Sequence, residues 1–343
     1  MSTSESANPP PPSSPPPEDT ARDTAGDENP AADPPTQLEA DVVDDNDSAL
    51  GFSDEELSTA SLRSSIREYN MLHGRGYHRD QTYFLPSDED ESDRLDLQNH
   101  QLLLTFGGKI HFALGADTAK RVLDVGTGTG LWALDFADEH PEAEVLGVDI
   151  AAIQPSFVPP NCSFEIDDLE KDWTFSRKFD YIFTRLMAGS FADWDRFVGQ
   201  CYDFLEPGGW LEVIDPTLPA CCDDGTLKPE AAINRWDEYL VKASKKLGRP
   251  FDAGSGHFDR VKAHGFVNVE RKIYKWPINP WPKDPKFKEI GLWTRANIEG
   301  NLEGISTALL ARGLELSREE ILAFLAEVRA ELRNPRIHAY WEV

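Results

Sequence analysis

The sequence predicts a doubly wound α/β fold, with a helical cover before its sheet and helix-rich additions after it. Three observations carry this. Between Arg121 and Asp215 short apolar runs alternate with amphipathic stretches, the signature of βαβ units. The first run, VLDV over 122–125, passes straight into the glycines of GTGTG over 126–130. The second, VLGVD over 145–149, ends in a carboxylate about twenty residues beyond that loop.

Element by element, strands are expected at 122–125, 145–148, 163–166, 181–184 and 210–214. Helices are expected at 131–140 and 191–205 between them. Upstream, residues 59–119 read as a helical cover in which Leu95, Leu102 and Phe106 face something apolar. Residues 120–215 read as the cofactor-binding core. Residues 216–343 read as the acceptor-side part: helix 230–247, strand 267–274, a Trp- and Pro-rich loop through Trp276, Trp281 and Trp293, and a last helix at 318–332.

Residues 1–58 read as a disordered acidic, proline-rich tail. The first 60 residues hold 15 Asp or Glu against one Arg, about half of the net charge of −27, and ten of the 25 prolines. Phe52 is their one aromatic residue, so such a segment cannot bury enough apolar surface to offset its ordering entropy. The acidic balance also excludes non-specific nucleic-acid binding, which needs clustered Lys and Arg. No signal peptide or membrane-length apolar run is present in the sequence. Cys162, Cys201, Cys221 and Cys222 lack zinc-ligand spacing, and no metal site is expected. A reducing compartment, cytoplasmic or nuclear, fits best.

The chemistry centres on the glycine loop. Gly126 permits a tight turn and Gly128 lets a ligand approach the backbone, while the amides lie at a helix start, where partial positive charge collects. A dinucleotide site would place its third glycine at position 131, which is Leu131; here it comes one residue early, at Gly130. A loop so spaced after the acidic strand end at Asp124 is the S-adenosylmethionine version, with no phosphates to cradle. Gly126, Thr127, Gly128 and Gly130 then face the amino-acid end of that cofactor. Asp149, with Ile150 beside it, accepts from the ribose hydroxyls. Asp167, Asp168 and Leu169 close the third strand, where a carboxylate can accept the adenine amino group and the Leu169 amide can donate to the ring. Asp168 is favoured for adenine over Asp167; a helix N-cap is the other use for a carboxylate there. The turn at Pro207, Gly208 and Gly209 is structural.

Longer motifs resemble the LaeA-like fungal methyltransferases over residues 69–340. EYNMLHGRGYH at 68–78 is similar to the family's Asn-Gly-Arg-x-Tyr-His motif, with His73 where Asn is usual. YFLPSDE at 83–89, DRLDLQ at 93–98, GTGTGLW at 126–132, VPPN at 158–161 and AGSFADW at 188–194 are similar to its other signatures. The resemblance implies S-adenosylmethionine as cofactor, a Rossmann-like seven-stranded methyltransferase sheet, a role in fungal secondary metabolism or its regulation, and velvet-domain regulatory proteins as partners. It supplies no methyl acceptor, small molecule or protein. It also implies a final strand, for which Trp341, Glu342 and Val343 leave only a short stretch.

Acceptor-side candidates are Tyr77, His78, Arg185 and Glu212, with Arg75 a bidentate partner for the cofactor carboxylate. Arg185 follows the fourth strand at the carboxyl edge, where open α/β sheets bind ligands. The same place reads Thr184, Arg185, Leu186, Met187 rather than the Pro-Pro-aromatic motif of nucleic-acid amino-methylating enzymes. A regulatory subunit that keeps the fold with little catalysis is the alternative from a different class.

Overall fold

Runs rich in apolar residues suit strands covered on both faces, and three such strands form the centre of one five-stranded parallel sheet. The computed structural model describes residues 70–72, 74–78 and 83–343; the expected tail over 1–58 lies outside them. The chain opens with the hairpin β1 (Asn70–Leu72) and β2 (Arg75–Tyr77), then helix α1 (Glu89–Thr105). The core follows as β3 (Arg121–Val125), α2 (Leu131–Glu139), β4 (Glu144–Asp149), β5 (Cys162–Ile166), β6 (Phe179–Arg185), α3 (Trp194–Phe204) and β7 (Leu205–Ile214). The C-terminal part holds β8 (Thr217–Cys222), α4 (Ala232–Lys246), α5 (His257–Ala263), β9 (Lys275–Pro277), α6 (Pro285–Gly300), α7 (Leu302–Leu314), α8 (Arg318–Leu332) and β10 (Ala339–Glu342).

The parallel sheet runs in the order β5-β4-β3-β6-β7, so strand order reverses between β3 and β6. In such a sheet the crevice opens outside the carboxyl ends at that switch point. Alternate residues of each strand feed opposite faces. Leu123, Val125, Leu146, Val148 and Ile182 pack with α3 through Phe197 and Cys201. Val122, Val145, Tyr181 and Phe183 pack with α2 through Trp132 and Phe136. Trp132 stacks on Phe183 at 3.8 Å between centroids and donates its indole N–H to the Ile110 carbonyl, satisfying its polar atom.

The doubly wound class holds, but the sheet has five strands rather than seven. Strands β8, β10 and β9 form a separate antiparallel sheet, in that order, against α4, α7 and α8. The short final strand is therefore real and central. Residues 267–274 are not a strand. Val267 is exposed, and of this stretch only Tyr274 pairs, exchanging backbone hydrogen bonds with Val343. Trp276 and Trp281 are buried core residues, and Trp293 sits on α6 rather than in a loop. Asp284 caps α6, with Pro285 in its first turn. The cover is not all helical either, since a hairpin precedes α1. Only Leu102 and Phe106 of its expected apolar face are fully buried. Arg94 and Gln101 instead meet Thr294 and Asn297 of α6 through hydrogen bonds of 2.8–3.2 Å.

β10 is anchored by Trp341, which packs against Trp236 and donates to the buried Asp237 carboxylate. Burial pushes that carboxyl up to about 7, while the Ala220 amide and the Trp341 indole hold it down. A folded value above the unfolded one adds stability below the unfolded pKa and loses it as pH rises through the folded one. Relative to D237N, the wild type should therefore gain urea resistance as pH falls from 8 to 5. W341A should cost about 3–5 kcal/mol at any of these pH values, read from denaturation midpoints.

Candidate active site

A cavity of about 380 Å³ lies at the switch point, lined from the sheet side by Gly126, Thr127, Gly128, Asp149, Ile150 and Leu169. Its size falls in the range of small-molecule sites. The glycine loop is shaped by side chains behind it. Gly126 and Gly128 have φ of 71° and 56°, where residues with a Cβ are strained. A Cβ on Gly126 would also lie 2.2 Å from Met187 Sδ, so the loop and the segment after β6 touch backbone to thioether. Behind them Thr127 donates its hydroxyl to Asp124 at 2.6 Å. Burial pushes the Asp124 carboxyl up to about 6, against that hydroxyl and the Arg185 charge.

Asp149 ties the ends of two strands together. Its Oδ2 accepts the Gly128 amide at 2.8 Å and its Oδ1 the Ala151 amide at 2.9 Å. Each oxygen keeps a further lone pair, and the carboxylate lines the cavity, so it can accept two vicinal hydroxyls. Gln154 spans Gly128 and Ala151 by donating to both carbonyls. Asp167, Asp168 and Leu169 also line the cavity. No helix follows them, so neither carboxylate is an N-cap; Asp168 accepts the Glu170 amide at 3.1 Å and lies 3.5 Å from Lys171 Nζ.

Several expected residues lie elsewhere. Arg75 grips Asp88 with two hydrogen bonds of 2.7 Å, and Asp88 in turn caps α1; Arg75 is a brace, not a cavity residue. Tyr77 is buried beside it and does not reach the cavity. Glu212 accepts the Phe112 and Ala113 amides and the Tyr181 hydroxyl on Oε2, its Oε1 is enclosed without a partner, and it does not line the cavity. Asp124 acts from behind the loop. Gly130 faces Phe164, whose ring would lie 2.5 Å from an added Cβ, so that glycine permits close packing of β5 rather than ligand approach. His78 and Arg185 do line the cavity. His78 Nδ1 is enclosed with no protein partner, and Arg185 donates to Asn99 at 2.7 Å. His73 lies outside the described residues.

The opposite wall comes from α1, which motif reading missed. Glu91, Leu95, Gln98, Asn99 and Leu102 line the cavity. Their spacing is that of one helical face, the signal that identifies such a wall. Arg249, from beyond α4, joins Glu170 to the Ser190 carbonyl and so ties the loops after β5 and β6; no sequence pattern marks it.

Comparison with known proteins follows this geometry. The family described as a methyltransferase domain matches residues 98–270. The methyltransferase pytC of Aspergillus terreus is 38% identical, over 91% of this chain and 95% of its own length. The secondary metabolism regulator LAE1 of Cochliobolus heterostrophus is 36% identical, over 79% and 91%. Among solved structures, a Haemonchus contortus phosphoethanolamine N-methyltransferase 2 complex aligns with a TM-score of 0.42 at 20% identity, over 71% of this chain and 51% of that one.

Because Arg75 is spent on Asp88, R75A should leave S-adenosylhomocysteine affinity unchanged in calorimetry. It should lower stability by about 1 kcal/mol, since the pair is partly exposed.

Proposed function

The chain belongs to the LaeA-like S-adenosylmethionine-dependent methyltransferases, and we propose that Asp149 and the loop after β5 hold its cofactor while α1 and His78 face the methyl acceptor. The observation that carries this reading is Asp149: a carboxylate pinned by two backbone amides at a cavity wall, with acceptor capacity left for two hydroxyls. Neighbouring Ile150 and Leu169 supply apolar walls for a base, with Asp167 or Asp168 taking the adenine amino group. Gly126, Thr127 and Gly128 present backbone without bulk to the amino-acid end.

S-adenosylmethionine, when bound, supplies a methyl group on a sulfonium whose leaving group is a neutral thioether. The protein's work is then chiefly orientation and exclusion of water. The face of α1 closes the cavity from above, and Asn99 fixes the Arg185 guanidinium on its wall. His78 Nδ1 is the unpartnered polar atom available to take a proton from a hydroxyl or amine acceptor.

The acceptor is read as a small molecule or a protein of fungal secondary metabolism, because relatives of this extent include one described as its regulator. Velvet-domain proteins as partners belong to the same reading, and copurification with them tests it. None of the described helices is long and apolar enough to cross a membrane, and the four cysteines are free, which supports the cytoplasm or nucleus. Residues 59–343 are read as the methyltransferase domain, so deleting 1–58 should leave cofactor affinity unchanged.

Calorimetry with S-adenosylhomocysteine tests the assignment. Binding in the micromolar range, about −8 kcal/mol, is expected for the wild type, with at least a tenfold loss, about 1.4 kcal/mol, in D149A. A wild type that gives no heat favours the scaffold alternative, and an unchanged D149A removes the ribose role. Radiolabelled cofactor incubated with host extract should place label in the protein or the metabolite fraction.

A further inference from the structure

Three potential ligands meet at the edge of the parallel sheet opposite the crevice. His111 and Asp117 lie in the connection between α1 and β3, and His140 is the residue that ends α2. One nitrogen or oxygen from each falls within 4.8 Å of the other two. His111 Nε2 stands 3.3 Å from Asp117 Oδ1. That is longer than the roughly 2.7–2.9 Å of a charge-assisted hydrogen bond. It matches the edge of a tetrahedron, also about 3.3 Å, whose corners lie roughly 2.0–2.1 Å from a central ion. The two imidazole centroids are 5.8 Å apart with their planes at 54°. Two histidines sharing a tetrahedral zinc through one nitrogen each would stand about 5 Å apart.

The rings are also held in place, and one of them is left unsatisfied. His140 packs on Phe136 at 4.3 Å, and His111 lies between Phe136 and Tyr181. His140 Nε2 is enclosed and has no hydrogen-bond partner. Enclosed polar atoms without partners are rare in folded proteins, and an ion or an ordered water is the usual explanation. An ion pair between His111 and Asp117 would leave His140 Nε2 unexplained.

We propose that His111, Asp117 and His140 form a structural zinc-class site that fastens the α1–β3 connection to the end of α2. Two imidazoles and one carboxylate suit zinc rather than magnesium or calcium, which prefer sets made of oxygens. The Asp117 side chain is 69% exposed, so the fourth position opens to water. The site shares no residue with the crevice. Its effect on the methyltransferase is mechanical: the connection it fastens leads from α1, the far wall of the cavity, into β3.

The test uses the full chain, stripped with a chelator and dialysed, then given zinc or magnesium. One zinc per chain is expected to remain after desalting. The melting temperature should rise by about 5 °C at a hundredfold excess of zinc over its dissociation constant, with no rise in magnesium. Cobalt in its place should give the intense visible bands of a four-coordinate ion. D117N, at an exposed position that does not threaten folding, and H140Q should both lose the retained zinc, the shift and the bands. H338N is the control, because His338 pairs with Asp224 at 2.5 Å beside Cys222 and so offers zinc a competing set of ligands; it should keep all three. Zinc that fails to stay on the wild type overturns the proposal, as does zinc retained by D117N and H140Q or lost in H338N.

Discussion

The hydrogen bonds between the Asp149 carboxylate and two backbone amides hold the site together. The Gly128 amide belongs to a loop with three φ-positive glycines, Gly126, Gly128 and Gly130, and the Ala151 amide belongs to the turn leaving β4. That carboxylate, together with the Val148 carbonyl that accepts the Gly126 and Thr127 amides, sets the spacing between the tips of β3 and β4. The parallel register below, with Val125 opposite Val148, brings those tips level and makes so short a bridge sufficient. Asp124 and Thr127 complete the support from behind, where a buried carboxyl needs a donor.

The crevice is the meeting of two walls with different chemistry. The sheet wall is made of strand tips and backbone, fixed by the fold class. The α1 wall is made of side chains at helical spacing, braced at its start by Asp88 and Arg75 and along its length by polar contacts to α6. A class shared by many methyltransferases thus specifies the sheet wall, while the α1 wall is the one that, in the function proposed above, meets what is methylated. Function on such folds resides in the grafted side and not in the sheet.

The centre of the parallel core could be read from the sequence because β3, β4 and β6 are covered on both faces and so appear as largely apolar runs. Asp149, at the end of one, was visible for the same reason. The α1–α6 seam was hidden because it is built from Arg94, Gln101, Thr294 and Asn297, which have no hydrophobic period. Glu212 and Arg75 looked like ligands because charged side chains in motif-bearing segments do; their partners, the Phe112 amide and Asp88, are distant in sequence or belong to backbone, which spacing cannot show. The three-stranded sheet escaped because β9 and β10 are only three and four residues long, and Val267, apolar yet exposed, drew attention away from them. Short strands take their place from tertiary packing rather than from local pattern.

The position of β10 between β8 and β9 governs the order in which the molecule can assemble. Tyr340 pairs with Cys221, about 120 residues earlier, whereas β3 and β4 meet after about 20. During synthesis the parallel core can close while β8 and β9 still expose unpaired backbone, and they stay so until the strand that separates them emerges from the ribosome. That interval is when a nascent chain of this design is most open to wrong partners and most dependent on chaperones, even though the finished layer is dry and well anchored.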